Sequence, residues 1–172
     1  MKPIIIYNSQ TGFTKQYAQW LAEALGCPCI PFRERNSIHF DQYDTILFGS
    51  WWHAGALQKK KWFLSQVPAW EGKRLLVFAV GAMPPQSPSI AESINANFSK
   101  EEQQRILIYY LPGGLCYEKM GPASRLMMKM FASMMAKKNN KTPFEEEMAR
   151  VLGHSYDLSD PKYLTPLLEA LQ

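Results

Sequence analysis

Three short segments carry the residues best suited to chemistry. In Ser9-Gln10-Thr11-Gly12-Phe13-Thr14, hydroxyl side chains alternate with other residues just ahead of an amphipathic stretch. Hydroxyl donors and the unsatisfied amides of a helix N-terminus together form a receptor for a phosphate dianion, aided by the helix dipole. Gly12 lets the backbone come close. No lysine lies inside the turn, so dipoles alone are expected to neutralise the anion. That suits a monophosphate, because the P-loop's glycine spacing and lysine are both missing, as is the three-glycine dinucleotide fingerprint. A simple Ser/Thr helix cap would use the same residues, and the segment by itself does not separate the two roles.

In Gly49-Ser50-Trp51-Trp52-His53-Ala54-Gly55, consecutive indoles stand where a domain normally places polar turn residues. Two tryptophans beside small residues offer flat apolar surface to a planar ring, whose polar edge the loop amides can reach. At least one indole is expected to pack into the core or onto a neighbouring subunit instead. His53 is the one titratable side chain of the group: it either donates a proton to a bound ring or substrate, or faces solvent. The third segment, Val80-Gly81-Ala82-Met83-Pro84-Pro85, is small, apolar and stiffened by prolines, as suits a wall along a ring's edge. No nucleophile elbow, zinc-protease helix or Ser/His/acid grouping accompanies them.

Positioning these segments requires a particular scaffold. Ile4-Ile5-Ile6-Tyr7 lies in a strand expected from Lys2 to Asn8, and its lack of polar alternation points to a sheet covered on both faces. Further strands are expected over Cys29–Phe32, Thr45–Gly49, Arg74–Val80 and Ile106–Leu111. Helices are expected over Thr14–Leu25, Leu57–Gln66, Ser89–Phe98, Pro122–Lys137, Pro143–Leu152 and Pro161–Leu171. Strands separated by crossovers imply an α/β fold: a doubly wound, five-stranded parallel sheet with helices on both faces. For the order 2-1-3-4-5, ligands collect at the carboxyl ends of strands one and three. The three segments follow strands one, three and four. Residues 1–172 read as one domain, with a helical C-terminal extension from about 139.

Composition narrows the function. Nineteen Lys and Arg against fifteen Asp and Glu leave a formal charge of +4, too dispersed for a nucleic-acid stripe. Cys27, Cys29 and Cys116 fit neither a disulfide framework nor a zinc site, so no metal is expected. Met1-Lys2-Pro3 leads at once into a strand, leaving no room for a secretory leader. A cytoplasmic location follows as the expectation.

Ser9-x-Thr11-Gly12-x-Thr14 resembles the phosphate loop of the flavodoxin family, and Gly49 to Gly55 resembles its isoalloxazine-binding loop. Within that superfamily, Leu111-Pro112-Gly113-Gly114-Leu115-Cys116-Tyr117, the Met-rich stretch from Arg125 to Met130, and Tyr156-Asp157-Leu158-Ser159-Asp160 are similar to the flavodoxin-type protoporphyrinogen dehydrogenase group. That group often carries a basic residue where Cys116 stands and an Arg where His53 stands. The resemblance implies one non-covalent FMN, held by Ser9, Gln10, Thr11, Gly12, Phe13 and Thr14 at the phosphate and by Ser50, Trp51, Trp52, His53, Ala54, Gly55, Gly81, Ala82 and Met83 around the ring.

FMN carries redox chemistry without a catalytic side chain. Three functions are then open: an FMN-dependent oxidoreductase acting on a quinone-like or other hydrophobic substrate, an electron carrier serving a partner redox protein, and a binding module without flavin. The mildly basic charge favours the first, since a positive field stabilises a reduced anionic flavin. Leu126, Met127, Met128, Met130, Phe131, Met134 and Met135 exceed one narrow stripe. The excess surface is expected to be covered by the sheet and the C-terminal extension, by a homodimer partner, or by peripheral contact with the inner face of a membrane.

Overall fold

Ile4, Ile5 and Ile6 form strand β1 (Pro3–Tyr7), and all three are buried. Side chains alternate across a strand, so an unbroken apolar run requires cover on both sides. On one side helix α1 (Phe13–Leu25) turns Tyr17, Ala18 and Leu21 inward and ends at Gly26 in the left-handed conformation. The chain continues through β2 (Cys29–Pro31), two short 3-10 turns within 32–42, and β3 (Thr45–His53). Next come β4 (Ala56–Leu57), α2 (Lys60–Gln66), β5 (Arg74–Gly81), α3 (Ser89–Asn97), α4 (Lys100–Arg105) and β6 (Ile106–Pro112). The structure is a computed structural model that describes the backbone of residues 1–172 and every side chain except those of Phe144 and Glu147.

Strands β2, β1, β3, β5 and β6 lie side by side in that order, and every neighbouring pair is parallel. This is the expected doubly wound α/β sheet, with the short β4 added antiparallel to β3. One apolar layer joins Ile4, Ile6, Phe48 and Val77 to Phe63 of α2 and to Phe98. The other joins Ile5, Leu47, Leu76 and Phe78 to Tyr17 and Leu21 of α1. Full burial of each such side chain contributes about 1.5–3 kcal/mol, which fixes the sheet as a rigid base for the loops at its carboxyl edge.

Several stretches depart from the expected pattern, among them α4, which no expected helix covers and which a Ser99–Glu102 capping box starts. Strand β3 runs on to His53 instead of stopping at Gly49, because Ser50 and Trp51 still pair with Ala79 and Val80. Ala56 and Leu57 are taken by β4, so α2 begins at Lys60 rather than Leu57. After β6 the chain makes β7 (Gly114–Leu115), departs at Cys116 to form α5 (Pro122–Lys137) and α6 (Pro143–Val151), and returns as β8 (Tyr156–Asp157), antiparallel to β7. Gly114 permits that pairing, since a Cβ there would stand 2.0 Å from the Tyr156 carbonyl oxygen. Only then do the turn at Pro161–Leu164 and helix α7 (Thr165–Glu169) close the α1 face with Leu164, Leu167 and Leu171.

Candidate functional site

At the carboxyl ends of β1, β3 and β5 lies a cleft enclosing about 720 Å³ of atom-free space, open solvent at its mouth included. Gln10, Thr11, Phe13 and Thr14 line it from the first turn, Trp51, Trp52, His53 and Ala54 from the end of β3, and Gly81 and Ala82 from β5 and beyond. The three segments singled out in the sequence therefore meet in one place.

The first turn is built around Gly12, whose φ of 109° favours glycine. Its amide donates to the Ser9 hydroxyl at 3.2 Å, so Ser9 braces the loop from outside the cleft. No side chain caps α1, and the alternative capping role of these hydroxyls is not taken up. Among the described residues the amides of Thr11, Phe13, Thr14 and Lys15 have no hydrogen-bond partner, which leaves donors free for an anion. Thr14 is buried beneath them.

Dipoles are not the only positive charge here, which revises the expectation from sequence. Lys119, in the short turn Tyr117–Lys119 after β7, places its Nζ 3.8 Å from where a Gly12 Cβ would stand. Among the described residues it has no ion-pair partner. A Cβ on Gly121 would lie 4.0 Å from Gln10 Nε2, so the segment between β7 and α5 lies along the turn.

The tryptophans sit on a hairpin rather than a loop. Trp52 pairs with Leu57 and His53 with Ala56, and the reversal between them uses Ala54 at φ 47° and Gly55 at φ 80°. Two positive values are what a type I′ hairpin turn requires, and the one borne by alanine costs about 1–2 kcal/mol. The buried Asn97 side chain of α3 holds the hairpin, accepting from the Leu57 amide at 3.0 Å and donating to the Gly55 carbonyl at 2.7 Å. Trp51 and His53 share one face of β3, in edge contact at 5.2 Å between ring centroids. Trp52 points to the other face and packs partly against the Phe48 layer, as expected of at least one indole. Its Nε1 is buried without a partner.

Gly81 makes room for this packing, since a Cβ there would meet Tyr110 at 2.7 Å and Trp52 Cδ1 at 3.0 Å. Two phenols hold the wall beyond it. Tyr156 donates to the Ala82 carbonyl and Tyr110 to the Met83 carbonyl, each at 2.7 Å. Burial pushes Tyr156 up to about 12 and raises Tyr110 as well, so both remain donors at neutral pH.

Three residues expected around the ring do not line the cleft. Ser50 is fully buried and donates to the Gln58 carbonyl at 2.7 Å while accepting from Asn8 at 3.2 Å, so it braces the hairpin base. Gly55 serves the turn, and the Met83 sulfur accepts from the Ser89 hydroxyl at 3.1 Å, away from the cleft. Conversely, Leu115, Met120, Ser124, Met127 and Met128 roof the cleft. The Met-rich composition signalled that α5 had an unusual task; its position over the site depends on the excursion from Cys116 to Ser155, which has no local signature.

The family model described as flavodoxin domain matches residues 4–142, and the chain belongs to that family. Among solved structures, it is similar to the flavodoxin, WrbA-like protein from Agrobacterium tumefaciens, at 15% identity over 88% of this chain and 95% of that one, with a TM-score of 0.47. A flavodoxin from the domain Archaea aligns at 15% identity over 90% and 100% of the two chains, TM-score 0.44. Oxidised flavodoxin 1 from Bacillus cereus aligns at 18% identity over 81% and 100%, TM-score 0.36. No curated protein sequence matches the chain.

The residues present fit FMN, the cofactor consistent with this family. Free amides and an unpaired ammonium suit its phosphate. Trp51, Trp52 and the small residues Gly81 and Ala82 in the cleft lining suit a flat ring.

Proposed function

We propose that this chain binds FMN without covalent attachment in the cleft and acts as an oxidoreductase, moving electrons between a reductant and an apolar, quinone-like acceptor. Bound FMN supplies the redox step, taking up and releasing one or two electrons. The amides of Thr11, Phe13, Thr14 and Lys15 and the Thr11 hydroxyl hold the phosphate, and Lys119 adds charge. Trp51 and Trp52 would lend flat surface to the ring. Gly81 and Ala82, fixed by Tyr110 and Tyr156, form the wall. His53, in edge contact with Trp51, is the titratable group able to hold a proton near a reacting substrate.

The observation that carries this reading is the conjunction of unpaired amides in the first turn with an aromatic and apolar cleft lining beside them. A pure electron carrier needs no acceptor site. Here the space beside the tryptophans is roofed by Met120, Met127 and Met128, flexible side chains that adapt to varied apolar molecules, and this favours the enzyme. A visible absorption spectrum of the purified protein, before and after adding FMN, tests cofactor binding. A bound-flavin band is expected, and colourless protein in excess FMN would refute it. Turnover of a soluble quinone with a reductant then supports the enzyme, whereas reduction only through a partner reductase supports the carrier.

A further inference from the structure

Apart from Met1 and Leu107, every strongly exposed large apolar side chain among the described residues lies on α5. Leu126, Met130 and Met134 are 62%, 66% and 60% exposed and recur every fourth residue along one edge of the helix. Met127 and Phe131, at 37% and 41%, form a second row beside them. The opposite flank is anchored: Met128, Ala132 and Met135 pack with Leu115, Met148 and Leu152. The stripe is therefore displayed by a helix that is held in place.

Charge on this element has a single sign. Arg125, Lys129 and Lys137 are the charged residues of α5, Lys138 and Lys141 follow, and no acidic residue occurs between Glu118 and Glu145. With about 150–250 Å² available on a large side chain, the exposed fractions amount to an apolar patch on the order of 500 Å², at the upper end for a monomer. A stable dimer buries about 800 Å² per partner. Pairing α5 with its own copy would also bring like charges together.

We infer that α5 docks on the surface of an anionic lipid bilayer. The Leu126–Met134 stripe enters the acyl boundary, while Lys129 and Lys137 keep their ammonium groups among the phosphates. No helix among the described residues is long and apolar enough to cross a membrane, so the contact is peripheral. Met127 belongs both to the stripe and to the roof of the cleft; docking thus sets part of the cleft lining against the bilayer and gives a lipid-dissolved acceptor a short path. That last consequence rests on the flavin reading, whereas the docking does not.

The test is co-sedimentation of the full chain with phosphatidylcholine vesicles, with and without phosphatidylglycerol. Binding is expected only with phosphatidylglycerol and should weaken as salt rises. Met130→Glu with Met134→Glu should reduce binding more than tenfold, since two apolar side chains leave the stripe and two negative charges face an anionic surface. Both positions are exposed, so an unchanged circular dichroism spectrum serves as the folding control. Lys129→Gln should lessen the salt dependence. No binding to phosphatidylglycerol vesicles at low salt, or equal binding by the double variant, overturns the proposal. So does a dimer in light scattering that the double substitution dissolves without any vesicle binding. Vesicle binding is read without flavin, so a failure of FMN to bind would leave this result standing.

Discussion

Replacing Lys119 with Met would show whether the fold adds side-chain charge to the free amides of the first turn. The Lys119 Nζ stands 3.8 Å from the position of a Gly12 Cβ, and no carboxylate among the described residues pairs with it. At a separation of about 5 Å and an effective dielectric of about 20, two unit charges attract by about 3 kcal/mol. The side chain is exposed, and exposed pairs typically return about 0.2–1 kcal/mol once ordering and screening are included. A phosphate carrying nearly two charges raises the upper end of that range. The expected outcome is a rise of about 3- to 10-fold in the FMN dissociation constant, equal to about 0.7–1.4 kcal/mol. Riboflavin, which lacks the phosphate, should bind the variant and the parent alike. Fluorescence titrations with both flavins at two salt concentrations provide the assay. The gap between parent and variant should shrink as the Debye length falls from about 30 Å at 0.01 M to about 8 Å at 0.15 M. Equal weakening of FMN and riboflavin, or unchanged FMN affinity, would refute the reasoning.

Trp52→Phe keeps an aromatic ring and removes the buried indole N–H that has no partner. FMN and riboflavin should both bind about 2- to 10-fold more weakly as the aromatic surface shrinks, and the free protein should lose no stability through the missing donor; unchanged affinity for both flavins would take the Trp52 indole out of the site. Stability should also fall as the medium turns alkaline. Burial pushes the Cys27 and Cys29 thiols from an ordinary 9.0 up to about 11, and Tyr17 up to about 12. The unfolded chain therefore loses these protons first, and its population grows with pH from the unfolded values towards the folded ones. Denaturant midpoints measured from pH 8 to pH 11 should drop, and Cys27→Ala with Cys29→Ala should flatten the drop; a midpoint that rises would contradict the sign.

Local chemistry made much of the scaffold legible. The Ile4–Ile6 run has no polar face to offer water, so a doubly covered strand was the consistent solution, and the turn at Gly12 follows directly from it. The strand order came out as expected because crossovers between parallel strands leave few arrangements. The end of β3 was harder: Trp51, Trp52 and His53 continue a ladder whose partners, Val80, Leu57 and Ala56, are not apparent from their own neighbourhood. Ser50 looked like a ligand-facing hydroxyl, but its burial depends on Gln58 and Asn8. Lys119 and the methionine roof were hidden for the same reason, since a two-residue ladder between Gly114–Leu115 and Tyr156–Asp157 decides where everything between them goes.

That small ladder has an evolutionary corollary. Its rungs keep the ends of the intervening stretch together, so whatever is spliced between them can change while the five-stranded frame stays intact. Yet the same stretch supplies both the cation over the first turn and the lid of sulfur-bearing side chains. A descendant that trimmed it would uncover the cleft and lose the cation beside the first turn in the same stroke, so the cover of the cleft and the charge at its first turn are set to drift together.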